Sequence, residues 1–274
     1  MTAKCHQRLI REQAALTPEP DEDKKRKLAK NFDNAVVKEI DYATAKPTVM
    51  KYEWLRSMGN TAWAFGLYFG EYLAGVTCFG RTAGTGVCLV AGEANKQKVC
   101  TLVRGACVHW AHPHSASYLI TAACKLMAFK GYNIIVAYSD VDAGEVGTVY
   151  QSSNFLYCGP TKAPEMYRTP DGTVKSGRMI SALCRDRKGG TLKYWCTRAE
   201  MKQKLRDEGC EFFYGTPKHR YLKIVGDKRT VRALRKQIQW PILPYPKRAV
   251  EQSEVTLGVP LPVAEFNSPS PLQY

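Results

Sequence analysis

One short apolar run, together with the residues on either side of it, limits what this chain can fold into. The segment "NIIVAYSD", residues 133–140, is apolar at five consecutive positions and does not alternate. Such a run is typical of a strand that is buried on both faces of a sheet. The preceding "HPHSASYLITAACKLMAFKGY" has apolar residues at helical spacing, small polar residues at its start and Gly131 at its end. This pattern predicts a capped helix, and helix and strand together indicate an α/β fold.

Further segments extend this helix and strand into a mixed sheet. The stretch "TAWAFGLYFGEYLAGVTCFG" contains two apolar runs around a "GEY" turn, which predicts a β-hairpin. A third strand is predicted for "VCTLVRGACVHW". Between residues 32 and 58 the apolar periodicity is helical and is interrupted by "KPT", so we expect two helices with a break near Pro47.

The segment after the buried strand, "SDVDAGEVGTVYQSSNFLYCG", predicts a short glycine-flanked helix and then an aromatic strand. Gly144 and Gly147 lower helix stability by roughly 1 kcal/mol each relative to alanine. A requirement other than helix propensity must therefore explain them. Beyond residue 160 the chain predicts a hairpin with a Pro-Asp-Gly turn, a threonine-capped helix, two strands and a strongly basic helix.

Positive charge is concentrated in the C-terminal third. Residues 161–250 contain 22 Lys and Arg against 8 Asp and Glu, whereas the rest of the chain has 18 against 17. Aromatic residues are interleaved with these charges, which favours nucleic acid as the partner over a solvated basic face without a partner. The residues that we expect to contact phosphates lie on and beside the last predicted helix: Lys228, Arg229, Arg232, Arg235 and Lys236.

Several classes of protein and site do not match the sequence. No run of eighteen uncharged apolar residues occurs, and the N-terminal residues lack the apolar core of a signal peptide. We therefore expect a soluble protein of the cytoplasm with no membrane contact. The ten cysteines are scattered without a CxxC pair, which indicates free thiols. The histidines of "HWAHPH" match no standard metal-site spacing.

The order of the central elements resembles the acyltransferase fold of the Gcn5-related N-acetyltransferases (GNAT). The resemblance implies a GNAT-like (acyl-CoA N-acyltransferase-like) mixed central sheet flanked by helices, with a basic α+β C-terminal extension. In that fold two adjacent strands separate, and a helix N-terminus receives the donor's phosphates. That position falls on Ser115 and Ser117, which can alternatively be simple helix caps. The superfamily's glycine-rich phosphate loop is missing. Tyr150 falls on the general-acid tyrosine, although a core tyrosine fits the spacing equally well.

Four segments read together resemble the bacteriophage Mom family of DNA-modification proteins: "KYEWL", "AFGLYFGEYLAGVTCFG", "LVRGACVHWAHPHSASYLI" and "AYSDVDAGEVGTVYQSSNFLYCG". The resemblance covers residues 32–160 well and the rest loosely. It implies conversion of adenine in duplex DNA to N6-carbamoylmethyladenine, which shields phage DNA from restriction. It also implies that the protein acts in the cytoplasm of a bacterial host, with double-stranded DNA and a small-molecule donor as partners.

The family's functional positions are carried over one by one. They fall on Asp140, Tyr150, Arg104, Ser117 and Tyr68. Where the family has a histidine before a tyrosine, this chain has Lys51 and Tyr52. Either Lys51 substitutes, the motif is displaced, or the chemistry differs. The resemblance also raises the possibility of iron, with Asp140 and Tyr150 as ligands, and leaves open whether the donor is linked to coenzyme A.

The chemistry of adenine N6 defines what such a site needs. Its lone pair is delocalised into the ring, so a base for its proton and an activated donor both help. Asp140 can be that base, an iron ligand, or only a cap for the following turn. Two alternatives remain open: a GNAT-type acyl-CoA N-acyltransferase acting on a small amine or protein, and a catalytically inactive DNA-binding relative.

The predicted organisation has four parts. These are a flexible or loosely helical charged leader at 1–31, a GNAT-like catalytic core at 32–160, a basic part at 161–245 that completes the sheet and contacts DNA, and an irregular tail at 246–274. The sequence indicates no oligomeric state.

Overall fold

A mixed seven-stranded sheet forms the centre of the protein, whose computed structural model describes residues 4–82, 85–188 and 191–247. Its strands are β1 (Ala35–Ile40), β2 (Trp63–Phe69), β3 (Tyr72–Arg81), β4 (Val99–Cys107), β5 (Ile134–Ser139), β6 (Leu156–Pro160) and β12 (His219–Ile224). They lie in the order β1-β2-β3-β4-β5-β12-β6. Only β4 and β5 are parallel among these neighbouring pairs. Strand β5, which leads into Asp140, therefore has a neighbour on each side, as its apolar run predicts.

Helices cover both faces of this sheet. They are α1 (His6–Ala14), α2 (Glu22–Leu28), α3 (Tyr42–Tyr52), α4 (Thr85–Cys88), α5 (Ser115–Phe129), α6 (Thr148–Ser152), α7 (Arg178–Leu183), α8 (Arg198–Asp207) and α9 (Lys228–Arg235), with a 3-10 helix at Glu93–Lys98. Leu119 and Met127 of α5 pack with Phe65 and Phe69 of β2 in one core cluster. Leu234 of α9 belongs to a second cluster, which includes several residues of β5. The predicted α/β class is confirmed.

The expectation of two helices in residues 32–58 is wrong, because the first of them is the edge strand β1. Its sequence "AVVKEI" pairs with β2 along its whole length. One helix follows, capped by Asp41, whose carboxylate accepts a hydrogen bond from the Thr44 amide at 2.7 Å. Pro47 lies inside α3 without ending it. A single proline leaves one backbone bond unmade, and packing of Ala45 and Val49 in the core holds the helix together.

Strands β4 and β5 separate after a short paired region. Their ladder covers only Val99–Thr101 of β4 against Ile134–Val136 of β5. Past that point β4 stays paired with β3 and β5 stays paired with β12. This is the separation of adjacent strands that the GNAT-like fold predicts, and it opens the sheet at the end where Asp140 lies.

An insert, defined here as residues 161–218, lies between β6 and β12. It contains β7 (Glu165–Arg168), β8 (Val174–Ser176), β9 (Arg185–Lys188), β10 (Thr191–Tyr194) and β11 (Glu211–Tyr214), in sheets ordered β11-β7-β8 and β10-β9. Tyr167, Ile180 and Met201 form its own small core with neighbouring cysteines. The predicted threonine cap of α8 is confirmed, since Thr197 and Glu200 form a reciprocal capping box.

The described part of the leader is helical and contacts the core. The His6 amide donates to the Ala143 carbonyl at 3.0 Å. Gln7 donates through its amide side chain to the Tyr52 carbonyl, and its oxygen accepts from the Trp54 amide at 3.3 Å. Most of the predicted irregular tail, from residue 248 onward, lies outside the described residues. Among those that are described, no helix is long and apolar enough to cross a membrane.

Candidate active site

A cleft of about 1760 Å³ opens where β4 and β5 separate. Its walls are residues 101–107 of β4, the loop at 53–60 after α3, the start of α5, the segment at 140–150 after β5, and one side of the insert. Of the residues predicted for the site, four line this cleft: Arg104, Ser117, Asp140 and Tyr150. The diverging strands thus bring together residues that are far apart in the sequence.

Asp140 lies at the carboxyl end of β5 and has two roles in the structure. One carboxylate oxygen accepts from the Asp142 amide at 3.1 Å, which is the turn-capping role considered for it above. The other oxygen is ion-paired with Lys218 Nζ at 2.5 Å. Both oxygens therefore have partners, and the main contacts of Asp140 are structural.

Glu145 is the carboxyl group that sequence reasoning missed. It lies five residues after Asp140, is half-buried and lines the cleft. Its pKa is raised from 4.5 to about 7, chiefly by burial; the charges of Asp140 and Glu53 also raise it, while a hydrogen bond with the Asp140 backbone and the Lys218 charge lower it. A carboxyl with this pKa exchanges protons readily near neutral pH. An acidic residue among glycines and valines was the available signal, but its burial depends on the tertiary fold.

Glu53, on the opposite side of the cleft, is a second carboxyl that the sequence did not single out. Its residue is 5% exposed and burial raises its pKa, which the Arg104 charge partly offsets. Arg104 Nε lies 3.8 Å from a Glu53 carboxylate oxygen, and the same guanidinium donates to the Ser57 and Val103 carbonyls. A half-buried arginine in a strand needs a polar partner, and for Arg104 that partner is Glu53 of the same chain.

Tyr150 lies on α6 with its ring packed between Phe155 and Tyr221, at centroid distances of 5.4 and 5.3 Å. Its hydroxyl donates to the Tyr138 carbonyl at 3.4 Å, a long hydrogen bond. Burial raises the pKa of Tyr150, and the charges of Glu145 and Glu53 raise it further. The phenol therefore stays protonated at neutral pH and can donate a proton or hydrogen bond within the cleft.

The glycines of this segment are explained by contacts within the protein. Gly147 has φ +66°, and a Cβ there would lie 2.4 Å from a ring carbon of Tyr221. Gly144 has φ +70° and packs against Cys5 of the leader, 3.4 Å from a built Cβ. The glycines allow the loop to pass close to the neighbouring tyrosine and the leader, and α6 then presents Tyr150.

The start of α5 supplies a different kind of surface to the cleft. Ser117 lines it and donates to the His114 carbonyl at 3.0 Å. Ser115 is 1% exposed, its hydroxyl has no hydrogen-bond partner, and it does not line the cleft. The helix cap is His114, which makes no side-chain cap bond. The N-terminal end of a 15-residue helix thus borders the cleft, and such an end favours an anionic donor group.

Lys51 and Tyr52 lie outside the cleft, in a polar network built on Glu19 of the leader. Lys51 Nζ and the Tyr52 hydroxyl donate to the same Glu19 oxygen, at 2.8 and 2.9 Å. These bonds outweigh burial and lower the pKa of Glu19 to about 2. Burial raises the pKa of Tyr52 to about 12. His109 Nδ1 lies 3.1 Å from the Tyr52 hydroxyl. A histidine therefore does contact this tyrosine, but it comes from the segment just after β4.

Two other sets of predicted residues are also remote from the cleft. Tyr68 does not line it, and Lys38 Nζ lies 4.5 Å from the centroid of its ring. The five basic residues on and beside α9 are exposed. However, α9 begins directly after the end of β12 that pairs with the start of β5. Helix α9 therefore lies beyond the end of the strands opposite to the end where Asp140 lies.

The donor set around Asp140 and Tyr150 does not fit an iron centre. Asp140 is occupied by Lys218 and a backbone amide, and Tyr150 is a protonated phenol. Over residues 4–82, 85–188 and 191–247, no group of three or more His, Cys, Asp or Glu side chains is arranged to hold a metal ion. His109 is bonded to Glu22 at 3.0 Å, away from the other two histidines of its motif.

Comparison with known proteins gives two kinds of match. Solved structures similar to this chain include a Bacillus subtilis acetyltransferase in complex with CoA, with 9% identity and a TM-score of 0.37. Another is a GNAT family acetyltransferase from Elizabethkingia anophelis with acetyl-CoA bound, with 8% identity and a TM-score of 0.37. Each match covers 70% of this chain and 99% of the other. No curated protein matches significantly. The family model described as the Mom protein family matches residues 34–247, and the chain therefore belongs to the Mom protein family.

Proposed function

We propose that this protein is a transferase that modifies the exocyclic N6 of adenine in duplex DNA to give N6-carbamoylmethyladenine. The observation that carries the proposal is the pair formed by Glu145 and Tyr150 in the cleft of a Mom-family chain. One group can accept a proton near neutral pH, and the other keeps its proton. In the cytoplasm of a bacterial host, this modification would protect phage DNA from restriction.

The reaction requires one bond to form and one to break. The N6 nitrogen of adenine attacks the CH2 carbon of a carbamoylmethyl group, and the bond from that carbon to its leaving group breaks with the electron pair going to the leaving group. Glu145 accepts the N6 proton as the N–C bond forms. Tyr150 donates a hydrogen bond or proton to the departing group. A base is needed here because the delocalised N6 lone pair is a weak nucleophile.

The other residues of the cleft hold these groups in position. The ion pair of Asp140 with Lys218 and its bond to the Asp142 amide hold the turn that leads to Glu145. Arg104 holds the loop that carries Glu53 through its bonds to the Ser57 carbonyl. The amides at the start of α5, with Ser117, form the part of the cleft suited to phosphates of a donor.

The proposal is tested by nucleoside mass spectrometry on plasmid DNA from bacteria that express the protein. The expected result is a deoxyadenosine adduct with the carbamoylmethyl mass, which disappears with Glu145→Gln and Tyr150→Phe and falls with Asp140→Ala. Variants that are folded and still bind DNA, but leave it unmodified, identify an enzyme. Unmodified DNA from the folded wild-type protein, in a host where a known Mom protein modifies DNA, would refute the catalytic role and favour the DNA-binding alternative.

A further inference from the structure

We infer that the phosphates of the DNA duplex are bound by the insert at the mouth of the cleft, and that the basic residues of α9 are not the contact surface. This inference rests on the proposed function, since it names the surface that would present DNA to the same cleft. It replaces the sequence-based expectation that α9 grips the phosphates.

The first argument is the position of unpaired positive charge. Residues 161–218 contain 13 Lys and Arg against 7 Asp and Glu. On the insert's side of the cleft, Lys162 and Arg178 are exposed and have no ion pair with any described residue. Cations at the rim of an opening can hold the phosphates that flank one nucleotide.

The second argument is an exposed aromatic side chain beside these charges. Tyr214, the last residue of β11, is 76% exposed and lines the cleft. Two other rings of this small sheet are packed instead, since Tyr167 and Phe212 stack on each other with ring centroids 5.7 Å apart. A solvent-exposed tyrosine on the same cleft as these cations is suited to stack on a base.

The third argument is geometric. Glu145 and Tyr150 are half-buried between separating strands, and a duplex is too wide to enter such an opening. The adenine must leave the base stack to reach them, so its flanking phosphates stay at the mouth. The six residues of β5 span roughly 20 Å. Helix α9 begins at the opposite end of the strands and is therefore about this distance from Asp140. Phosphates next to the flipped nucleotide cannot contact both surfaces.

The test compares two pairs of neutralising substitutions that remove the same charge from exposed sites. Lys162→Gln with Arg178→Gln alters the mouth, and Lys228→Gln with Arg232→Gln is the matched control on α9. Affinity for a 20-base-pair duplex is measured by fluorescence anisotropy between 50 and 200 mM salt, without any donor. Thermal unfolding of both proteins checks that they are folded.

We expect the mouth pair to weaken binding by at least tenfold and to reduce the slope of log K against log salt by about 1.8, since each lost phosphate contact removes about 0.9. The control pair should change the slope by less than half as much. Tyr214→Ser should weaken binding about tenfold with an unchanged salt slope, because stacking is not an ionic contact.

Equal losses from the two pairs, or a larger loss from α9, would overturn the inference. This outcome is separate from failure of the proposed function. If the Lys162→Gln/Arg178→Gln protein binds DNA more weakly while cellular DNA carries no adduct, the proposed binding surface is supported and the proposed reaction is refuted. If the adduct forms and the mouth pair binds DNA normally, the reaction stands and the surface is wrong.

Discussion

Replacing Glu145 by glutamine should make the protein more stable at alkaline pH while abolishing its reaction. The pKa of this carboxyl is raised from 4.5 to about 7, chiefly by burial. Each pKa unit is worth about 1.4 kcal/mol, so ionising Glu145 in the folded protein costs about 3 kcal/mol more than in the unfolded chain. Glutamine is neutral, has nearly the same shape and avoids this cost.

The sign of the effect follows from linkage. A carboxyl with a raised pKa in the folded state stabilises the fold fully below pH 4.5, and that stabilisation is lost as the pH rises through 7. Wild type and Glu145→Gln should therefore be similarly stable at pH 4.5. At pH 8.5 the variant should be more stable by up to about 3 kcal/mol.

The assay is urea denaturation of both proteins at these two pH values. Glu71→Gln, which removes an exposed carboxylate at the hairpin turn, is the control and should show no pH-dependent gain. A stability difference for Glu145→Gln that is the same at both pH values would refute the burial argument. In the nucleoside assay the variant should lose at least about a hundredfold of its product, since glutamine cannot accept the N6 proton.

Three further predictions concern other contacts. Gly147→Ala should lower the free energy of unfolding, measured in urea, by more than about 2 kcal/mol, because φ is +66° there and the new Cβ would clash with the Tyr221 ring. Gly131→Ala is the control: its φ is +89° but the space around it is open, so it should cost less. Equal losses would contradict this reasoning. Glu19→Gln should lose about 3 kcal/mol at pH 7, with the deficit closing as the pH falls from 4.5 towards 2, and a pH-independent deficit would contradict it. Lys218→Met should raise the pKa of Glu145, seen as a later carboxyl 13C transition in an NMR titration, and a lowered pKa would be inconsistent with the charge's role.

The sheet was largely predictable, because its strands are local patterns. The run at 134–138 is apolar throughout and the hairpin at 61–80 has its turn between two runs, so both are visible in the sequence. Strand β1 was missed because "AVVKEI" continues into a helix, and only its pairing with β2 distinguishes the two. Edge strands take their conformation from a neighbour, which sequence periodicity does not report.

The site was only partly predictable for a related reason. Asp140 and Tyr150 follow strongly patterned segments and both reach the cleft. Glu53 and Glu145 were not singled out, since their raised pKa values come from burial and from charges contributed by distant segments. The α9 cations are conspicuous in the sequence, and the structure places them at the end of the sheet opposite Asp140. Charge counts contain no information about which end of a sheet a helix occupies.

The placement of β12 between β5 and β6 has a consequence for how the chain can be synthesised and divided. Both of these earlier strands pair with a strand that is made only after the whole insert has left the ribosome. A fragment ending at residue 160 would leave one side of β5 as an unpaired apolar edge, which invites aggregation. Folding must wait for a contact between residues about 80 positions apart, which is a slow, non-local step. Truncations meant to isolate a minimal catalytic unit should therefore keep residues through 224, and chaperone dependence during expression is expected for the intact chain.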